Sequence, residues 1–186
     1  TPLYSSAASD VYKRQVLVRH NSYLFKGTVE ENLKMAKPDA TKEEMEAVLQ
    51  KVNLLGFLQT QDGLQTQLLE KASNLSGGQC QRLVIARALL RTDSAVYIFD
   101  EAASNIDVES EELIMNVIHE LAKTKTVLLI SHRLANVVKS DKIYFLKDGE
   151  IKESGKHDEL MSQNGAYRHL YESQMALENY GKGGMA

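Results

Sequence analysis

The 186-residue sequence has no apolar run approaching the roughly 18 residues of a membrane span. It does not open on the basic-then-apolar pattern of a secretory signal. A membrane role is therefore expected to come through another segment or another chain. A single cysteine excludes an internal disulfide and fits a reducing compartment. No lysine–arginine block stands out and the net charge is −3, so nucleic acid is not suggested as a partner. What is there is ordinary: 43% hydrophobic and 25% charged residues, enough to bury the core of one domain.

The most informative stretch is Leu75-Ser76-Gly77-Gly78-Gln79-Cys80-Gln81-Arg82, which opens an apolar helical run ending near Leu90. Two adjacent glycines let a backbone approach a ligand with no Cβ in the way. Ser76 is a good N-cap with a hydroxyl free to bond, and a helix start is a ready anion site. A capped helix after a turn would also explain Ser and Gly. It would not explain the next feature, where Val96-Tyr97-Ile98-Phe99 runs into Asp100-Glu101. A short, fully apolar strand predicts the centre of a parallel sheet covered on both faces. Ligands in such sheets sit beyond the strands' carboxyl ends. Two adjacent carboxylates there suit a phosphate–Mg²⁺ site. Thr126–Ile130 reads as a second apolar strand, with Ser131-His132-Arg133 after its end.

LSGGQ, AVYIFDEA, SNID at 104–107 and LLISHR at 128–133, in this order, resemble the nucleotide-binding domain of ABC ATPases. LSGGQ is that family's signature. The resemblance covers residues 16–174 and implies an α/β fold: a P-loop NTPase core of ABC ATPase type, a mostly parallel sheet flanked by helices, with an α-helical subdomain. It implies ATP and Mg²⁺ as cofactors. Asp100 would hold Mg²⁺ through water, Glu101 would act as general base or water-orienting group, and His132 would be the switch histidine on the γ-phosphate. Two such domains pack head to tail, so Ser76, Gly77, Gly78 and Gln79 would bind a nucleotide held by the partner. Asp107 would couple the two sites, and it is also a plausible N-cap for the helix from Val108. His20 falls where the family has the Q-loop glutamine, a departure from the pattern. Asn105 and Ile106 replace the usual Ala and Leu of the D-loop. The exporter-like features, Thr66–Glu70 as an X-loop and the Gly155/His157/Glu159-Leu160 ending, imply a transmembrane domain as partner, fused or separate. They imply work at the cytoplasmic face of the membrane. Leu69 stands where the X-loop more often has Gly.

The family's phosphate loop, G-x-x-x-x-G-K-[ST], occurs nowhere in the sequence. Residues 1–15 are small, polar and patternless, and are expected to be a foreign or disordered leader on a truncated domain whose N-terminal part is missing. Residues 21–92 are expected to form the helical subdomain and signature helix, 93–174 the catalytic core and C-terminal helices, and 175–186 a flexible tail. Thr41-Lys42-Glu43-Glu44 is a capping box before an amphipathic helix with Met45, Val48, Leu49 and Val52 on its core face. Arg82 and Arg87 read as ion-pair or capping partners, Cys80 as structural and His157 as a helix cap. Two rivals share the motifs: a soluble ABC-type ATPase of DNA repair or translation, and a non-catalytic fragment supplying only the signature. The isolated chain is expected to be inactive while its parent is an ATPase.

Overall fold

The computed structural model describes residues 14–104 and 106–183, which fall into two compact units, one ending at Ile130 and the other starting at Ser131. The residues of the expected leader up to 13, together with Asn105, lie outside the described residues.

In the first unit, three parallel strands form one sheet: β1 (Gln15–Arg19), β4 (Val96–Asp100) and β5 (Thr126–Ile130), with β4 central. Their register aligns Arg19, Asp100 and Ile130 at one end. A parallel sheet puts like ends together, so the carboxyl ends of all three strands share one edge. On one face, Val18, Tyr97 and Phe99 are buried, and the two rings stack with centroids 6.5 Å apart. The other face is not covered on both flanks as the apolar β4 suggests: Leu17, Leu128 and Ile130 are 45–50% exposed. The uniform apolarity of β4 reflects its central place, where both neighbours are strands, and does not report cover over β1 and β5.

The helices follow from local chemistry. α1 (Val29–Lys34) and α2 (Lys42–Lys51) each start with a capping box, on Thr28 and Thr41. Thr41 Oγ1 accepts from the Glu44 N–H at 3.2 Å and Glu44 returns a bond to the Thr41 N–H at 3.0 Å. These bonds satisfy donors that the helix start leaves open. The Thr28 box has the same Thr-x-x-Glu signal, and sequence reading missed it. Met45, Val48, Leu49 and Val52 are buried as their spacing predicts. A short helix α3 (Leu55–Gln59) follows, and β2 (Gly27–Thr28) pairs antiparallel with β3 (Gln67–Leu68). The buried Asn32 holds the loop before α1: its amide bonds both backbone groups of Phe25 and the carbonyl of Thr28, at 2.9–3.0 Å.

α4 (Gly77–Leu89) packs on α2, on β1 and on α5 (Val108–Ala122). Leu83, Ile85 and Ala86 have no exposure. This helix thus touches both the helical elements and the sheet. The first unit ends with β5.

The second unit has a 3₁₀ turn (Leu134–Val137), a hairpin of β6 (Ile143–Lys147) and β7 (Glu150–Gly155), and helices α6 (His157–Gln163) and α7 (Ala166–Gly183). Asp148 and Gly149 both have positive φ, 54° and 78°, as an Asp-Gly hairpin turn of the primed type requires. His157 is not the cap of α6. It is the first helical residue, and its Nδ1 meets the hydroxyl of buried Tyr167 at 2.8 Å. The Glu153 carboxylate accepts from the Ala166 N–H at 2.5 Å and so caps α7. That helix runs on to Gly183 where the sequence reading has a flexible tail from 175. Met175, Ala176 and Leu177 are good helix formers and extend it.

Candidate functional site

Strand β4 delivers the two carboxylates. Asp100 is its last residue, opposite Arg19, with a guanidinium–carboxylate separation of 3.8 Å. Both side chains are roughly half exposed, so the pair is worth at most about 1 kcal/mol and yields readily to a ligand. Glu101 adds one more rung: its N–H donates to the Ile130 carbonyl at 3.0 Å. The chain then turns sharply with Glu101 at φ 52°, in the left-handed region. A non-glycine residue there costs about 1–3 kcal/mol and persists where its surroundings hold it. Ser104 does the holding. Its N–H and its hydroxyl both donate to the Glu101 carbonyl, at 3.0 and 2.8 Å. No Gly or Asn marks this turn, so sequence reasoning missed both the backbone state of Glu101 and the role of Ser104.

The start of α4 offers hydrogen-bond donors where the strand end offers carboxylates. Ser76 is the N-cap: its Oγ accepts from the Gln79 N–H at 3.2 Å, and Gln79 Oε1 accepts from the Ser76 N–H at 2.9 Å. The Ser76 hydroxyl is thus not wholly free as the sequence reading has it, since one acceptor site is spent on the cap. A hydroxyl also carries a donor, so its proton remains to be given. The amides of Gly77 and Gly78 come too early in the helix for any intrahelical carbonyl to reach them. Gly77 is exposed, and a Cβ there would meet nothing within 4 Å. Gly78 is buried.

Behind the signature, buried Gln81 donates from Nε2 to the Arg19 carbonyl at 3.2 Å. Among the described residues, Arg82 and Arg87 serve as hydrogen-bond partners of loop backbone, and the Arg82 charge also helps to lower the Asp107 carboxyl. They donate to backbone carbonyls, Arg82 to Asn53 at 3.0 Å and Arg87 to Tyr23 at 2.9 Å. Each thus ties α4 to a neighbouring loop. Burial pushes the Cys80 thiol up despite its place at a helix start, which supports the structural reading.

Asp107 caps α5. Its Oδ1 accepts from the Ser110 N–H at 2.8 Å, and hydrogen bonds from the Ser110 backbone and hydroxyl hold its carboxyl below the ordinary 3.8. A lowered folded value means that the contribution is complete above pH 3.8. It fades as pH falls from there through the folded value. The stability gap between the chain and Asp107→Asn should therefore be widest above pH 3.8 and close towards lower pH in urea titrations. A gap that does not change with pH would contradict this assignment.

His20 lies exposed in a turn at the end of β1, closed by the Ser22 hydroxyl on the Arg19 N–H at 2.9 Å. The strand register puts it one residue beyond the Arg19–Asp100 pair. Glu70 is exposed at the start of a 3₁₀ turn, and Asn74 braces that loop through the Leu69 N–H and the Gln67 carbonyl. His132 belongs to the second unit. Gln174 of α7 clamps its loop, donating to the His132 carbonyl at 2.7 Å and accepting from the Leu134 N–H at 2.9 Å.

Among the described residues no group of three or more His, Cys, Asp and Glu is placed to hold a metal ion. Asp100 alone still fits Mg²⁺, which keeps several waters and takes one or two carboxylates together with substrate phosphates. Titrating MgCl₂ into the chain without nucleotide should give no binding tighter than millimolar by calorimetry. Micromolar Mg²⁺ affinity in that titration would show a self-sufficient metal site.

The ABC transporter family model matches residues 3–104, and the chain belongs to that family. The match begins inside the stretch read as leader. An uncharacterized ABC transporter ATP-binding protein of Haemophilus influenzae is 52% identical over 90% of the chain. An ATP-dependent lipid A-core flippase of Vibrio vulnificus is 42% identical over 85%. The chain spans only 30% and 27% of the length of these two relatives. A solved bacterial Atm1-family ABC exporter with ATP bound superposes with a TM-score of 0.80 at 29% identity, covering 87% of the chain and 28% of that structure. The fold is that of an ABC ATPase domain of exporter type. No helix among the described residues is long and apolar enough to cross a membrane.

Proposed function

We propose that the chain is part of the ATP-hydrolysing domain of an ABC exporter and couples ATP hydrolysis to transport from the cytoplasmic face of a membrane. The observation that carries this is the edge where Asp100 ends the central strand and Glu101 is turned into a left-handed conformation just past it. Exporters and flippases among the relatives support the transport half. In this reading Glu101 takes the proton of the attacking water and orients it. His132 holds the γ-phosphate. Ser76, Gly77, Gly78 and Gln79 offer a helix start to the nucleotide of a second ABC ATPase domain packed head to tail, and Asp107 links the two sites. His20 stands in for the Q-loop glutamine. Mg²⁺, held by Asp100 through water, would neutralise charge developing on the phosphates. Closure of the pair would drive the transmembrane domain, and turnover would reopen it.

The 186-residue chain by itself has no phosphate-loop lysine, so as a lone polypeptide it serves only as a donor of signature and strand-end groups. The test uses a complete transporter containing this domain, reconstituted in lipid vesicles. Mg²⁺-dependent ATP turnover stimulated by a transported substrate is expected. A well-folded complete protein that binds no ATP would remove the proposal.

A further inference from the structure

The two signature glycines have opposite surroundings. Gly77 is open, whereas a Cβ at Gly78 would lie 2.9 Å from Asp107 Oδ2 and 2.9 Å from Ser110 Cβ, and closer still to Ser110 Oγ. Real Cβ atoms do not approach that closely, and Ser110 has little room to retreat. It is 6% exposed, its N–H is bound to Asp107 Oδ1 at 2.8 Å, and its hydroxyl bonds the same carboxylate. We infer that Gly78 and Ser110 are positioning residues: Gly78 lacks a side chain so that the first turn of α4 can seat on the Asp107–Ser110 cap of α5. Three residues on, Gln81 fastens the same face of α4 to the Arg19 carbonyl, whose strand partner is Asp100. The i, i+3 spacing puts both contacts on one side of the helix. The helix start is thereby registered against this subunit's own α5 cap and the end of β1, while Gly77 looks outward. A shift at the Asp107–Ser110 cap is carried directly to the face that, on the proposed reading, serves the partner's nucleotide. That consequence rests on the ATPase reading, whereas the packing does not.

Urea unfolding of the 186-residue chain tests the packing by sign. Intrinsic helix propensity favours Ala over Gly by up to about fivefold in the folding equilibrium, so Gly77→Ala should be neutral or stabilising. Gly78→Ala should instead lower the folding equilibrium about tenfold or more, as overpacking does. Ser110→Gly removes two of the three atoms within 3.0 Å and the hydroxyl that holds the third, Asp107 Oδ2, in place, so it should recover most of that loss in the double variant, beyond the sum of the single changes. A Gly78→Ala chain as stable as Gly77→Ala, or a loss that Ser110→Gly does not relieve, would overturn the inference. In a complete transporter, Gly78→Ala should lower kcat more than it raises KM for ATP, and Ser110→Gly should restore kcat in the double variant. An unrestored kcat with restored stability would overturn the positioning role. If the complete protein shows no ATP turnover at all, the ATPase reading fails while the unfolding result stands or falls separately.

Discussion

Glu101→Gln in a complete transporter carrying this domain should keep ATP binding and lose turnover by about 10²–10⁴-fold, the range for removing a positioned general base. Gln matches Glu in size and keeps its hydrogen-bonding reach, but it cannot accept a proton. The turn that aims the side chain is made by backbone groups: the Glu101 N–H on Ile130 and the Glu101 carbonyl under Ser104. Those bonds do not depend on the carboxylate, so the variant should fold and place its amide where the carboxylate was. Phosphate release and binding of a fluorescent ATP analogue, measured side by side, separate the two effects. Turnover near the parent rate would remove Glu101 from the mechanism. A loss of binding equal to the loss of turnover would point to a folding defect instead.

Phe99→Ala should lower the stability of the chain by about 3–5 kcal/mol, the usual range for deleting a fully buried ring. Phe99 is 1% exposed and stacks on Tyr97, on the strand that both other strands of the sheet pair with. Total stabilities of domains lie near 5–15 kcal/mol, so this one change would take a large share. It would also loosen the strand end that presents Asp100 and Glu101. Urea unfolding followed by far-UV circular dichroism gives the value. A cost below about 1 kcal/mol would mean that β4 is not the centre of the core.

The parts of this structure that were legible in the sequence are those governed by local rules. Ser76 and Thr41 cap helices because a hydroxyl followed three residues later by Gln or Glu can satisfy a helix start. Asp107 caps α5 because a short carboxylate just before a helix can accept from the N3 amide. The strand ending at Asp100 was visible as an apolar run stopped by charge. What was not legible depends on distant partners. The left-handed Glu101 is held by Ile130 and Ser104, not by any residue type at its own position. The need for Gly78 comes from Ser110, thirty-two positions on. Tyr167 takes the His157 imidazole across a helix junction, and Gln174 clamps the His132 loop from forty-two residues away. The half-exposed second face of the sheet could not be told from a covered one, because β4 is apolar at every position before Asp100. The family resemblance supplied what no spacing could, the proposed trans role of the signature.

The most direct test compares ATP turnover by the purified 186-residue chain with turnover by the same chain joined behind an exporter segment carrying G-x-x-x-x-G-K-[ST]. No turnover by the chain alone, and Mg²⁺-dependent turnover by the fusion that Glu101→Gln abolishes, is the predicted result. ATP hydrolysis by the chain alone, or a folded fusion that binds ATP yet hydrolyses it no faster than its Glu101→Gln variant, would contradict it.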